Sequence, residues 1–231
     1  MKTVGIIGGI GPESTIEYYR FIIEEYRKRQ ADGTNPSVII NSIDVNKLVR
    51  WMNAGEHEAV ANYLVAGLET LHRAGVDFAV LAANTPHIVF DQVKARVSLP
   101  MISIVEAARD RARYLKLQRP ALFGTRFTME GKFYREVFAA AGINLVTPSE
   151  AERTFIHEKY MGELLNNIFL PETRERLIAI VNQMKQRDGI DGLILGGTEL
   201  PLILREAGIE GVPFLDTTRI HVDEIVNVLI S

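Results

Sequence analysis

Short runs dense in valine, isoleucine and leucine, each followed by a longer stretch of helical period, constrain this chain more than any other feature. A run that is apolar at consecutive positions reads as a strand buried on both faces, and such strands belong to parallel sheets covered by helices. The pattern predicts strands over residues 3–7, 37–41, 78–82, 101–103, 120–123, 144–146, 192–195 and 214–215. It predicts helices over 14–30, 57–74, 104–117, 131–140, 171–187 and 217–229. Strand and helix in alternation define an α/β protein with parallel sheets.

The chain also repeats itself loosely. Val4 to Tyr19 runs strand, glycine turn, Ser/Thr, then a helix carrying Tyr18-Tyr19, and Ala121 to Tyr134 does the same through Gly124-Thr125, Thr128 and Phe133-Tyr134. Val80 to Val89 passes from strand through Asn84-Thr85-Pro86 into an apolar helix start, as Leu193 to Leu204 does through Gly197-Thr198-Glu199-Leu200-Pro201. Within each half the two segments lie about 75 residues apart, as duplicated lobes would give. The expected division is a first lobe over 1–100, a second over 101–210, and residues 211–231 packed back on the first.

With 231 residues, 47% of them hydrophobic and 24% charged, the chain suffices for one large domain or two compact ones. A formal charge of −3 and no run of Lys or Arg argue against nucleic acid as a partner. The apolar start is too short for a signal-peptide core, and no stretch approaches the roughly 20 apolar residues of a membrane helix. Without any cysteine there is neither a disulfide framework nor a thiolate metal site, so a cytoplasmic protein with no membrane association is expected. No His/Asp/Glu cluster has the spacing of a metal site, and no metal is expected.

Four strand-to-helix turns share one chemistry. In open parallel sheets ligands bind beyond the carboxyl ends of the strands, where backbone N–H groups and helix starts face the same space. Glycines at 8, 9, 11, 124, 196 and 197 allow close backbone approach, and Thr15, Thr85, Thr125, Thr128 and Thr198 bring hydroxyls. Such turns could grip a small carboxylate with neutral donors, or they could simply be capped turns. The first is no dinucleotide fingerprint: Gly9-Ile10-Gly11-Pro12-Glu13-Ser14 lacks the third glycine, and no phosphate-loop lysine follows.

Several segments, taken in order, resemble the aspartate/glutamate racemase family: Gly8 to Thr15 with Tyr18-Tyr19, Asn84-Thr85 with His87, Gly124-Thr125 with Thr128-Met129, His157 ahead of Glu163-Leu164, and Thr198-Glu199-Leu200-Pro201. The resemblance covers nearly the whole chain. It implies two Rossmann-like lobes related by a pseudo-twofold axis, an active site in the cleft between them, a homodimer, and racemisation of a small amino or carboxylic acid without pyridoxal phosphate or any other cofactor. It also implies that Gly9, Thr15, Asn84, Thr85, Thr125, Thr128 and Thr198 line the ligand site. In the family a cysteine stands on each face of the substrate, and the matching positions here are Ala83 and Gly197. Neither residue can move a proton, and their small size suggests a roomier site.

The replacements open to such a chain are few. His87, at the first turn after Asn84, has an ordinary pKa suited to general-base work, yet it equally fits a hydrogen-bonded structural histidine. Glu199 follows Thr198 and could pair with His87 as acid and base, or cap its helix. Glu13 and His157, the latter expected just ahead of a helix over 158–168, are further candidates, whereas His57, His72 and His221 read as packing or surface residues. Arg50 or Lys47 could meet a distal carboxylate, although Leu165, where many relatives carry a lysine, argues against aspartate or glutamate as substrate. Tyr18, Trp51 and Met129 could line a larger pocket or belong to the core. The competing expectations are a racemase, a lyase or decarboxylase needing a single acid, and a carboxylate-binding protein without catalysis.

Overall fold

The structure is a computed structural model that describes residues 2–204 and 208–231. The chain divides into two compact units, one of residues 1–104 with 218–231 and one of residues 105–217. Each has its own sheet, parallel in the first unit and dominated by parallel pairs in the second.

In chain order the first unit comprises β1 (Thr3–Gly8), α1 (Pro12–Arg29), β2 (Ser37–Ser42), α2 (Val45–Ala54), α3 (His57–Arg73), β3 (Phe78–Leu81), a 3-10 turn (Thr85–Val89), α4 (Phe90–Lys94) and β4 (Met101–Ile102). Helix α5 (Ile104–Tyr114) leads into the second unit, which holds β5 (Pro120–Gly124), α6 (Arg126–Glu130), α7 (Lys132–Ala139), α8 (Glu150–Gly162), a 3-10 turn (Leu164–Asn166), α9 (Pro171–Asp188), β6 (Gly192–Gly196), α10 (Leu200–Ile203), β7 (Gly208–Ile209) and β8 (Val212–Asp216). Helix α11 (Thr217–Ile230) returns to the first unit. The sheet orders are β2-β1-β3-β4 and β5-β6-β8-β7, and among the described residues only β7 and β8 pair antiparallel. No helix among the described residues is long and apolar enough to cross a membrane.

Register brings the turns together within each unit. Ile7 pairs with Leu81 and Gly8 with Ser42, so the turns after β1 and β3 leave the sheet side by side, next to the end of β2. In the second unit Gly124 pairs with Gly196, which juxtaposes the turns after β5 and β6. The central strands are buried along most or all of their length, as consecutive apolar residues require.

Several elements differ from the sequence expectation. Residues 144–146 make a single parallel bridge, Val146 to Ala121, because Pro148 follows two residues later and cannot extend a ladder. Helix α2 was not expected, although Asp44 caps it through Asn46 N–H at 2.9 Å and Gly55 ends it at φ 72°. Helix α8 begins eight residues earlier than expected, at a capping box in which the Ser149 and Glu152 side chains serve each other's backbone N–H groups. His157 therefore lies within that helix.

Two buried histidines tie the first unit together. The Nε2–H of His221 on α11 donates to the Ile102 carbonyl (3.1 Å), and its Nδ1 accepts from the Tyr18 hydroxyl on α1 (2.8 Å). His87 donates from Nδ1 to the Ala83 carbonyl (3.0 Å) and accepts at Nε2 from Ile104 N–H (3.4 Å), with its ring stacked on Phe90. Burial lowers His221 to about 4; burial, and next the nearby His221, lower His87 to about 3.

In the unfolded chain both imidazoles titrate near 6.5. Below that pH the unfolded state takes up protons that the folded state refuses, so this stability is complete above about 6.5 and is lost as the pH falls through about 4 for His221 and about 3 for His87. Each histidine contributes a slope of about 1.4 kcal/mol per pH unit. Urea unfolding between about pH 7 and 5, a window above ordinary carboxylate titration, should show this decline, and His221→Gln should roughly halve the slope. A flat profile across that window would contradict the neutral assignment.

Candidate functional site

In the first unit the glycine turn is braced by its own Ser14 and Thr15 side chains. Gly9 adopts φ 77°, and an added Cβ would lie 2.6 Å from Ser42 Oγ, so the turn admits only glycine there. Its N–H donates to Thr15 Oγ1 (2.9 Å), while Thr15 and Ser14 donate their hydroxyls to the Gly11 carbonyl at 3.1 and 3.0 Å. Thr15 thus braces the entry to α1. Glu13 is exposed in the first turn of that helix.

The turn after β3 is likewise taken up by structure. Asn84 is buried, Thr85 is half-buried, and the 3-10 turn begins between them with His87 N–H donating to the Asn84 carbonyl (3.0 Å). Both ring nitrogens of His87 are engaged, and the one free of hydrogen faces an N–H donor. Protonation there would set two donors against each other.

In the second unit Thr125 caps α6, its Oγ1 accepting from Thr128 N–H (3.3 Å) and lying 3.3 Å from the Thr128 hydroxyl. The Arg126 N–H donates to His157 Nδ1 (3.2 Å), which anchors α8 against the start of α6. Burial, followed by the Arg126 charge, lowers the His157 pKa, and the neutral ring carries its hydrogen on Nε2.

The turn after β6 differs in kind because it buries a carboxylate. Glu199 Oε2 accepts from the Thr198 hydroxyl at 2.9 Å and from the Tyr160 hydroxyl on α8. Tyr160, Thr198 and Glu199 are all almost fully buried. Burial, and after it the Glu199 charge, raises the Tyr160 pKa well above 10, so the phenol keeps its proton at any working pH.

Tyr160 also accounts for Gly197. A Cβ on residue 197 would stand 2.8 Å from the phenolic oxygen and closer still to the ring edge, so the space that a side chain at 197 would use is filled by Tyr160. The extra room expected at this position is absent. Tyr160 escaped the sequence reading, although Glu152, Ile156 and Tyr160 mark the buried stripe of α8 at i, i+4 spacing.

Other candidates are placed elsewhere. Arg50 is exposed on α2 with its guanidinium 6.0 Å from the Trp51 ring, and Lys47 is exposed beside Tyr63. Trp51 packs edge-on against Tyr63, whereas Tyr18 and Met129 are core residues.

The overlap at residue 197 generates a double-mutant cycle. Gly197 lies outside the left-handed region, so a side chain there meets only its neighbours. Gly197→Ala should cost roughly 1–3 kcal/mol by overpacking, and that cost should largely vanish when Tyr160→Ala is already present. Urea unfolding of the four proteins checks this; an equal cost in both backgrounds would contradict the geometry.

Comparison with known proteins places these turns in a family. A crystal structure of an aspartate racemase homologue from Pyrococcus horikoshii superimposes with a TM-score of 0.86 at 32% identity, covering 100% of both chains. One described as a candidate Asp/Glu racemase from Yersinia pestis gives 0.89 at 29% identity, again over 100% of both. The broad specificity amino-acid racemase RacX of Bacillus subtilis is 24% identical over 146 residues, 62% of this chain and 63% of the relative, so the match spans less than two thirds of that protein. The family model described as Asp/Glu/Hydantoin racemase matches residues 7–225. The chain belongs to the Asp/Glu/Hydantoin racemase family.

Proposed function

We propose that the protein is a cofactor-independent amino-acid racemase or epimerase that works without thiols, removing and returning the proton on the carbon next to a carboxylate. The observation that carries this reading is the buried Glu199, held by Thr198 and Tyr160 at the carboxyl end of β6, in the segment that resembles the family's second cysteine segment. A buried carboxylate is costly to keep unless hydrogen bonds hold it, and groups so held are typical of acid–base sites. The RacX relative, a broad specificity amino-acid racemase, supports an amino acid as ligand. In the second unit, donors of the turns carrying Thr125, Thr128 and Thr198 would hold its carboxylate.

Racemisation needs proton transfer on two faces of the α-carbon. In the family a cysteine serves each face, and the matching positions here hold Gly197 and Ala83. Glu199 is the ionisable group that serves one face, whereas Ala83 has none to offer and His87 is held neutral by its two hydrogen bonds. Exchange on the Glu199 face should therefore outpace inversion. The same reading includes a cytoplasmic homodimer, for which light scattering should give about twice the 25.9 kDa chain mass.

Proton NMR in heavy water, with L- and D-alanine, aspartate and glutamate, tests the reaction. The α-proton signal of one enantiomer should disappear faster than chiral chromatography shows the other enantiomer to appear. Retained α-protons for every acid that the folded protein binds would leave a binding protein and overturn the reading.

A further inference from the structure

We propose that Tyr160 is the residue that meets the ligand's α-carbon in the second unit, relaying the proton between that carbon and Glu199; this deepens, and rests on, the reaction proposed above. Position supplies the first argument. The phenolic oxygen lies 2.8 Å from where a Cβ of residue 197 would be, which puts a proton-carrying oxygen beside the first atom of any side chain on residue 197. The glycine and the tyrosine are complementary: Gly197 removes a side chain, and Tyr160 brings a hydroxyl into the space from another element.

Connection supplies the second. The Tyr160 hydroxyl donates to Glu199 Oε2, the same oxygen that accepts from Thr198 at 2.9 Å, so the phenol and the carboxylate form one hydrogen-bonded unit. The helix that carries Tyr160 is held at its start by the Ser149–Glu152 capping box and by Arg187, whose guanidinium meets both Glu152 oxygens at 3.1 Å. At its middle, Arg126 N–H donates to His157, one turn before Tyr160. A proton-transfer group must be placed to within a fraction of an ångström, and these restraints hold the phenol in position.

The chemistry balances without a free phenolate. As the C–H bond of the α-carbon breaks, its proton forms a new O–H bond on Tyr160, while the proton already on Tyr160 passes to Glu199 Oε2. The C–H electron pair stays on the substrate as an enolate, and the negative charge of Glu199 is neutralised. The reverse step reprotonates the same face and restores the carboxylate. Because Glu199 takes the proton, the phenol remains neutral, as its buried position beside a carboxylate demands.

The test uses the heavy-water exchange assay on wild type, Tyr160→Phe, Glu199→Gln, these two combined, and the double variant Tyr160→Ala/Gly197→Cys, with ligand affinity from calorimetry and folding from thermal melts. Tyr160→Phe should lower exchange by about 10²–10⁴-fold while affinity changes only a few-fold. Glu199→Gln should lower it comparably, and removing both should cost little more than removing either, as expected for groups acting in one relay. The double variant returns a thiol to residue 197 and should recover exchange above the Tyr160→Phe level. Exchange by Tyr160→Phe within about threefold of wild type would overturn the relay while leaving the proposed reaction standing. Should Tyr160→Phe fail to fold or bind, the double variant decides: recovered exchange supports the relay, and bound ligand without exchange overturns it. A wild type that exchanges nothing removes the reaction and the relay together.

Discussion

Parallel pairing is the constraint on which the rest of the structure depends. Two neighbouring strands that run the same way cannot be joined by a tight hairpin, so the chain leaves each carboxyl end through a turn and crosses back along a helix. In the first unit β1 and β3, and in the second β5 and β6, are such neighbours, and their turns open side by side. The glycines and threonines of those turns follow from that geometry. A turn between a buried strand and a helix start has exposed N–H groups, little space and a need for capping hydroxyls.

The two units spend their buried polar groups differently. In the first, Tyr18, His221, His87 and Thr15 are paired within the architecture, each neutral and each linking one segment to another. In the second, the buried group at the strand end is Glu199, which requires donors to be tolerable at all and finds them in Thr198 and Tyr160. This contrast gives the two halves of a loosely repeated chain different chemical capacities. Glycine at residue 197 fits the same arrangement, since the Tyr160 ring fills that space from a separate helix.

Much of the fold is legible in local pattern. Strands at 3–7, 37–41, 78–82, 120–123 and 192–195 lie within one residue of their observed ends, because consecutive apolar residues between turns leave few alternatives. Helix α2 and the start of α8 were legible but unread: Asp44 with Gly55, and Ser149 with Glu152, are local boundary signals of the ordinary kind. The β7–β8 hairpin was not legible, since a two-residue strand has no period to detect. At the candidate site, the turn residues and Glu199 could be singled out from the sequence, whereas the commitments of Thr15 and His87 could not.

By itself the sequence determined the α/β alternation, the four Gly/Thr turns and the absence of any thiol, because each is a matter of residue type and local spacing. Only the tertiary structure decided what those residues do. Tyr160 meets Glu199 across 39 positions and Tyr18 meets His221 across 203, and a hydrogen bond between such distant residues leaves no periodicity in the chain. The same holds for Gly197, whose missing side chain has meaning only once the ring of Tyr160 is seen to fill its place.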